Sequence, residues 1–169
     1  MGLLTVGLMA GCAGGRTPSP QAAAARARQQ VEPSALALAN RLQVALASRS
    51  LTRNGGYVKC TARSADLAYS ASLIVSPARR TSITGLSRQV TVTMRAGGWR
   101  LAAVDLAKVH FVLPTEPHPA YRVARGNLHG ALNVIPDSAE GATALIFIDS
   151  PCFNAGSIAT RLERGNPTP

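Results

Sequence analysis

Aromatic and acidic side chains are both scarce in this chain of 169 residues. Phe, Trp and Tyr make up only 4% of it, so the core has to be built from Ala, Leu, Val and Ile. Eight Asp and Glu residues stand against 18 Lys and Arg residues. This disfavours a glycosidase, which needs two facing carboxylates. The formal net charge of +10 favours acidic partners, such as anionic lipid head groups or acidic cell-wall polymers.

Basic runs and catalytic motifs are also missing. No four consecutive residues are basic, and no aromatic residues alternate with basic ones to stack on bases, so nucleic acid is a disfavoured partner. The chain has no Cys-x-x-Cys, Gly-x-Ser-x-Gly or His-Glu-x-x-His motif. His110, His129 and Asp105 would form a metal site only if folding brought them together. We therefore predict no catalytic residues, no cofactor and no metal site.

An apolar segment at the start of the chain ends in a cysteine. Residues 1–6 are uncharged and mostly apolar, as in the core of a secretory signal. The stretch LMAGC (residues 8–12) resembles the lipobox of bacterial lipoproteins, in which small residues precede the cysteine that becomes the lipidated N-terminus. The apolar run is about half the roughly 20 residues that a transmembrane helix needs.

The lipobox resemblance implies that residues 1–11 are a signal peptide and that Cys12 is diacylated on its sulfur after cleavage. Two or more acyl chains, palmitate among them, anchor a protein stably. We therefore expect a lipid-anchored protein of the cell envelope, on the extracytoplasmic side of the outer or cytoplasmic membrane. Residues 12–32 are then the lipidated cysteine and a flexible tether.

The other two cysteines form an even pair. If Cys12 carries lipid, Cys60 and Cys152 remain as free thiols in an oxidising compartment. A disulfide between them is the default expectation there.

The first predicted element is a helix over about 33–48. Pro33 suits a first helical turn, and Leu38, Leu42 and Leu46 recur on one face. Beyond the Asn-Gly-Gly break at 54–56, alternation of apolar and polar residues predicts strands. These cover about 57–62, 67–75, 90–95, 99–104, 109–113, 121–125, 128–135 and 142–148.

Three of these strands and the end of the chain carry further predictions. Residues 90–95 and 99–104 flank Ala96-Gly97-Gly98 and predict a tight hairpin. Residues 142–148 are almost all apolar, which predicts a central strand buried on both faces. A short helix over about 155–164 precedes a tail, 166–169. The fold class is α+β: an N-terminal helix packed on a curved, mainly antiparallel sheet, with a short C-terminal helix, in one domain, 33–165.

A helix followed by antiparallel strands, including VTVTMRAGGWRLAAVDL (residues 90–106), resembles the cystatin-like or nuclear-transport-factor-like roll. The resemblance covers about residues 33–113 and implies a curved sheet that wraps the N-terminal helix. A concave pocket of this kind is the default binding site. We expect Leu38, Leu42, Tyr69 and Trp99 to line it. For Trp99, the single tryptophan, a role as the main aromatic residue of the core is favoured over a role in contacting a ligand.

Three functions remain open at this point. The first is a non-enzymatic, lipid-anchored envelope protein that binds a partner protein or a small apolar ligand. If the core between helix and sheet is filled, the small ligand is disfavoured and the partner protein remains. The second is an assembly or pilot lipoprotein of a secretion or conjugation apparatus, docked through an unpaired, uncharged edge strand. The third is a cell-envelope hydrolase, which requires acids or a Ser/His/Asp cluster converging in a cleft.

Overall fold

The first helix is longer than the sequence predicts. The structure, a computed structural model, describes residues 17–48, 50–62, 64–104, 119–137 and 141–165. Helix α1 (Pro20–Leu46) begins at the N-cap Ser19, whose hydroxyl accepts a hydrogen bond from the Ala22 amide at 3.3 Å. The prediction of a flexible tether is therefore wrong for residues 20–32, while the signal peptide and Cys12 lie outside the described residues.

The early start of α1 has a packing cause. Its buried side chains follow one another at intervals of three and four residues on both sides of Pro33: Ala24, Ala27, Val31, Ala35, Leu38, Leu42 and Leu46. An internal proline costs a helix about 3 kcal/mol. Burial of this continuous stripe against the rest of the fold offsets that cost. The stripe is hard to see in the sequence because its first members are alanines.

The second helix replaces the predicted hairpin. Helix α2 (Ile83–Ala96) begins at the N-cap Ser82, whose hydroxyl accepts from the Gly85 amide at 3.1 Å. Leu86, Val90 and Met94 lie at four-residue spacing and are fully buried. The hairpin prediction over 90–104 is wrong because Val90 and Met94 satisfy both a period of two and a helical period, and tertiary burial selects the helix.

The strands form one antiparallel sheet. They are β1 (Ser50–Lys59), β2 (Asp66–Ser76), β3 (Arg100–Ala103), β4 (Ala120–Arg125), β5 (Leu128–Asp137), β6 (Gly141–Asp149) and the short β7 (Phe153–Asn154). The order is β1-β2-β6-β5-β4-β3, with β7 paired to the start of β2. One turn of 3-10 helix (Gly156–Ile158) leads into α3 (Ala159–Glu163). The predicted α+β class, a helix on an antiparallel sheet with a short C-terminal helix, is confirmed, while the strand predicted at 109–113 lies outside the described residues.

Both helices pack on one face of this sheet. The main core joins α1 and α2 to the alternate side chains of β2, β4, β5 and β6 that point toward them. A smaller cluster of Ala24, Leu67, Ala155, Ile158 and Leu162 fastens the start of α1 to the C-terminal segment. Strand β6 is central, as predicted, but it is not buried on both faces, since Phe147 on its other side remains 39% exposed. No helix within the described residues is long and apolar enough to cross a membrane.

A disulfide closes the end of the sheet beside α3. Cys60 and Cys152 are bonded, with Cα atoms 6.2 Å apart, as predicted. Cys60 directly follows β1, and Cys152 lies between β6 and β7. The bridge therefore ties the edge of the sheet to the segment that follows its central strand.

Candidate functional site

The pocket predicted between helix and sheet is filled. Leu38, Leu42 and Trp99 are 1%, 0% and 3% exposed and belong to the main core. They do not line an open apolar cavity, so that part of the prediction is wrong. Leu and Val side chains from the helices and strands occupy the space, as close packing of an interior requires. Tyr69 is also buried, although its hydroxyl reaches a polar cluster at the edge of the core.

The residues considered for metal binding do not form a site in the described part of the chain. His110 and Asp105 lie outside it, together with Cys12. Within it, no three His, Cys, Asp or Glu residues are grouped so that they could hold a metal ion. His129 is exposed on the side of the sheet away from the helices, opposite Asp149 of β6.

That outer side of the sheet faces away from helices α1 and α2. Side chains alternate between the two faces of each strand. The residues that alternate with the core therefore point away from α1 and α2. On the central strands β2, β6 and β5 they include Ser72, Ile74, Leu145, Phe147 and Ala131.

An apolar patch lies at the middle of this face. Ile74 is 40% exposed and Phe147 is 39% exposed. Leu145 is half-buried and lies directly opposite Ile74 across the β2–β6 pair. We call Ile74, Leu145 and Phe147 the apolar patch; it is unusual because it lies on central strands, where large apolar side chains are normally covered by a second layer.

Charged side chains border the apolar patch at one end. Asp149 and His129 face each other across β6 and β5. Arg122 lies opposite Ala131, and Arg100 opposite Ala124, on the same face of β4 and β3. Two guanidinium groups therefore stand along one side of the face.

A hollow of about 710 Å³ lies between the apolar patch and these charges. It is lined by Ser70, Arg122, Val123, Ala124, His129, Gly130, Ala131, Phe147 and Asp149. One lining residue, Gly130, has no side chain, and a Cβ atom there would overlap the Phe147 carbonyl group. Glycine at this position is what lets β5 come close to β6 beneath the hollow.

Both edges of the main sheet carry basic side chains. The edge strand β1 bears Arg53, paired with Glu32, and Lys59, whose Nζ lies 3.6 Å from Glu163. The opposite edge strand, β3, bears the exposed Arg100. Charged edges discourage the addition of another strand. The uncharged edge expected of an assembly factor is therefore not found in the described strands.

A polar cluster lies on the other side of the molecule, where α1 crosses β1 and β2. The Tyr69 hydroxyl donates to Glu32 Oε1, and the Arg53 guanidinium donates to Glu32 Oε2. Burial, and next the hydrogen bond to this carboxylate, raise the pKa of Tyr69 to about 12. Gly55 makes the cluster possible, because a Cβ atom there would overlap the Tyr69 hydroxyl.

The sequence contained a weak signal for the outer face. Ser70, Ser72 and Ile74 were recognisable as one alternating set, but the apolar run 142–148 suggested a strand covered on both sides. The two long helices of the described residues both lie on one face, so neither of them covers Phe147. Counting the helices available to cover each face of the sheet would have predicted that the outer face is open.

Comparison with known proteins gives no further guide to the site. No protein-family model, curated protein or solved structure matches this chain at a significant level.

Proposed function

We propose that this chain is a lipid-anchored protein of the bacterial cell envelope that binds a partner protein through the outer face of its sheet. The observation that carries the proposal is the apolar patch, in which Phe147 and Ile74 are each about two fifths exposed on central strands. Apolar patches of this kind mark interaction sites on soluble domains. No enzymatic activity is part of the proposal.

A partner protein fits this face better than a small apolar ligand. The space between helices and sheet is occupied by Leu38, Leu42 and Trp99, which leaves no apolar interior for a ligand in the described part of the fold. The outer hollow is open and is bordered by Arg122, His129 and Asp149. An apolar centre with a polar, charged rim is the usual anatomy of a protein–protein interface.

Charge indicates the chemistry of the partner. Arg100 and Arg122 lie on the outer face, and the chain as a whole carries a formal net charge of +10. A complementary surface presents apolar side chains to Phe147 and carboxylates to the two arginines. We therefore propose an acidic partner surface with an apolar centre.

The anchor and the location are proposed from the lipobox resemblance at residues 8–12. Cys12 precedes the start of α1 at Pro20 by a short segment, so lipidation would hold the domain close to a membrane surface. Intact-mass analysis of the native protein, with Cys12→Ser as the control, tests this part. We expect a diacylated Cys12 in the membrane fraction, and loss of both modification and membrane association in the variant. An unmodified native N-terminus in the cytosol would overturn it.

The binding face is tested by placing a photo-crosslinking amino acid at position 147 in the native host. The same residue at position 44 is the matched control, because Val44 is an 83% exposed apolar residue on the helix side. We expect one envelope protein to crosslink from 147 and not from 44. That protein is then purified and its affinity for the chain measured.

The affinity measurement decides the proposal. Phe147→Ser is expected to weaken binding about tenfold or more, as for a buried aromatic anchor, and Val44→Ser to leave it unchanged. Equal effects of the two substitutions would contradict the proposed face. Crosslinking from 147 only to a second copy of the chain would replace the proposed partner with self-association.

A further inference from the structure

A second recess lies on the helix side, away from the proposed docking face. It consists of two adjoining openings of about 580 and 260 Å³ between the first half of α1, β1 and α3. Arg28, Tyr57 and Leu162 line both openings, so these three side chains form the wall between them. We call the two openings together the Arg28 recess.

The charge of Arg28 is not neutralised within the described residues. No carboxylate among them lies within ion-pair distance of its guanidinium. Glu32, the acid that lines the recess, already accepts hydrogen bonds from Tyr69 on one oxygen and Arg53 on the other. Arg28, Arg53 and Glu32 therefore leave one net positive charge at the recess.

The wall beside Arg28 is held in place by specific contacts. The Tyr57 hydroxyl donates to the Ala24 carbonyl at 3.1 Å. The Tyr57 ring makes edge-to-face contacts with Tyr69 and Phe153, at centroid distances of 5.0 and 6.1 Å. Burial raises the pKa of Tyr57, and the positive charge of Arg28 partly opposes the shift, as expected if the guanidinium lies near the phenol. A binding surface with ordered walls loses little entropy when a ligand enters.

The rest of the lining is amphipathic. Ala25 and Pro33 supply exposed apolar surface, and the nearly buried Leu162 closes the recess at its base. Gln21 and Gln29 supply side-chain amides along α1. A ligand that satisfies this lining carries a negative charge at one end and an apolar portion at the other. A guanidinium presents two parallel N–H groups, which match the two oxygens of a carboxylate.

We infer that the Arg28 recess binds a small amphipathic monoanion, a carboxylate attached to a short apolar chain. The carboxylate pairs with the Arg28 guanidinium, and the apolar chain lies over Ala25 and Pro33. A single net positive charge at the recess suits a monoanion better than a dianionic phosphate. This site shares no lining residue with the hollow on the outer face, so it stands independently of the proposed partner.

The test is a titration of the full chain with hexanoate carrying a ¹³C label at its carboxyl carbon, followed by NMR. Arg28→Gln is compared with Arg26→Gln, a matched control because Arg26 is an exposed arginine of the same helix that lines neither opening. We expect Arg28→Gln to weaken binding at least tenfold and Arg26→Gln to change it less than twofold. Equal effects of the two variants, or no binding by the wild type, would overturn the inference.

A second pair of variants keeps Arg28 and changes the recess around it. Ala25→Glu places a carboxylate at the lining, whereas Ala22→Glu places one on an exposed position of α1 outside it. We expect only Ala25→Glu to abolish hexanoate binding, with unchanged thermal unfolding midpoints in both. Loss of binding in both variants would indicate a general charge effect and contradict the assigned recess.

Other probes decide the chemistry of the ligand. Hexanol and hexylammonium, which have the same apolar chain but lack a negative charge, are expected not to bind. Tighter Arg28-dependent binding of inorganic phosphate would overturn the assignment of a carboxylate. Arg28-dependent binding to vesicles of anionic phospholipid, without binding of hexanoate, would assign the recess to lipid head groups instead.

Discussion

At residue scale, two neighbouring glycines of β1 have very different surroundings. A Cβ atom at Gly55 would overlap the Tyr69 hydroxyl and lie 3.0 Å from Glu32 Oε1, whereas one at Gly56 would meet nothing within 4 Å. The hydrogen bond between Tyr69 and Glu32 therefore depends on the absence of a side chain at Gly55.

This contrast yields a matched pair of substitutions. We expect Gly55→Ala to lower the free energy of unfolding by about 1 to 3 kcal/mol, the usual cost of overpacking. Gly56→Ala should change it by less than about 0.5 kcal/mol, as at an unconstrained surface position. Urea unfolding followed by circular dichroism measures both, and equal values would show that the close approach at Gly55 does not exist.

Tyr69 gives the chain a dependence of stability on alkaline pH. The pKa of Tyr69 is about 12 in the folded chain, against an ordinary value of 10.0 that applies when it unfolds. Its contribution is therefore complete below about pH 10 and is lost as the pH rises toward 12, because the unfolded chain releases the proton first.

Urea unfolding at pH 9 and pH 11 tests this titration. We expect the wild type to lose stability between the two values and Tyr69→Phe to lose less. A smaller loss should persist in the variant, because burial also raises the pKa of Tyr57. A wild type whose stability is the same at both pH values would contradict the burial of the Tyr69 hydroxyl and its bond to Glu32.

At the scale of elements, α2 shows how one residue pattern serves two structures. Val90, Val92 and Met94 would share a face in a strand, but in the helix Val90 and Met94 are buried while Val92 is 56% exposed. Substitution at these positions therefore distinguishes the helix from the hairpin that the alternation predicts.

The two structures give different expectations for Val92. Met94→Ala should lower the free energy of unfolding by about 2 to 5 kcal/mol, as for a buried methionine. Val92→Ala should have almost no effect or stabilise slightly, because alanine has the higher helix propensity. Urea unfolding of the two variants measures the difference. A large loss of unfolding free energy in Val92→Ala would support a strand at this position instead of the helix.

At the scale of the whole molecule, the disulfide links parts of the chain that are far apart in sequence. Cys60 and Cys152 are separated by 92 positions. Closing a loop of this length stabilises a folded chain by up to about 4 to 5 kcal/mol, through the entropy of the unfolded state.

Removal of the bridge tests its contribution. The double variant Cys60→Ser with Cys152→Ser should lose up to about 4 to 5 kcal/mol of unfolding free energy relative to the wild type. Cys12→Ser, which keeps the bridge, is the control for loss of a cysteine. A double variant as stable as this control would show that the bridge does not stabilise the fold.

The net positive charge has a kinetic consequence if the proposed partner is acidic. Replacing Arg100 and Arg122 with Glu should slow association about tenfold or more at low salt, because charges bordering an interface act mainly on the association rate. Arg41→Glu, at an exposed position of α1, is expected to have a smaller effect. Stopped-flow measurements at two salt concentrations check this, and a salt-independent rate would argue against an acidic partner.

Local patterns in the sequence were enough for much of the fold. The leucines at 38, 42 and 46 identified the main part of α1, and the alternation in 67–75 identified β2. The chain has three cysteines, and assigning one of them to the lipid anchor was enough to predict the bridge between Cys60 and Cys152. Such features depend on neighbouring residues or on residue counts, which a sequence displays directly.

Tertiary structure decided which apolar residues are covered. Residues 90–95 are helical because this conformation buries Leu86, Val90 and Met94 in the core. Helix α1 begins as early as Pro20 because the alanines on one face of its first turns pack against the rest of the fold. The expected pocket closed around Leu38, Leu42 and Trp99, while Phe147 stayed exposed. Burial depends on where both helices settle on the sheet, a long-range outcome that no local period in the sequence contains.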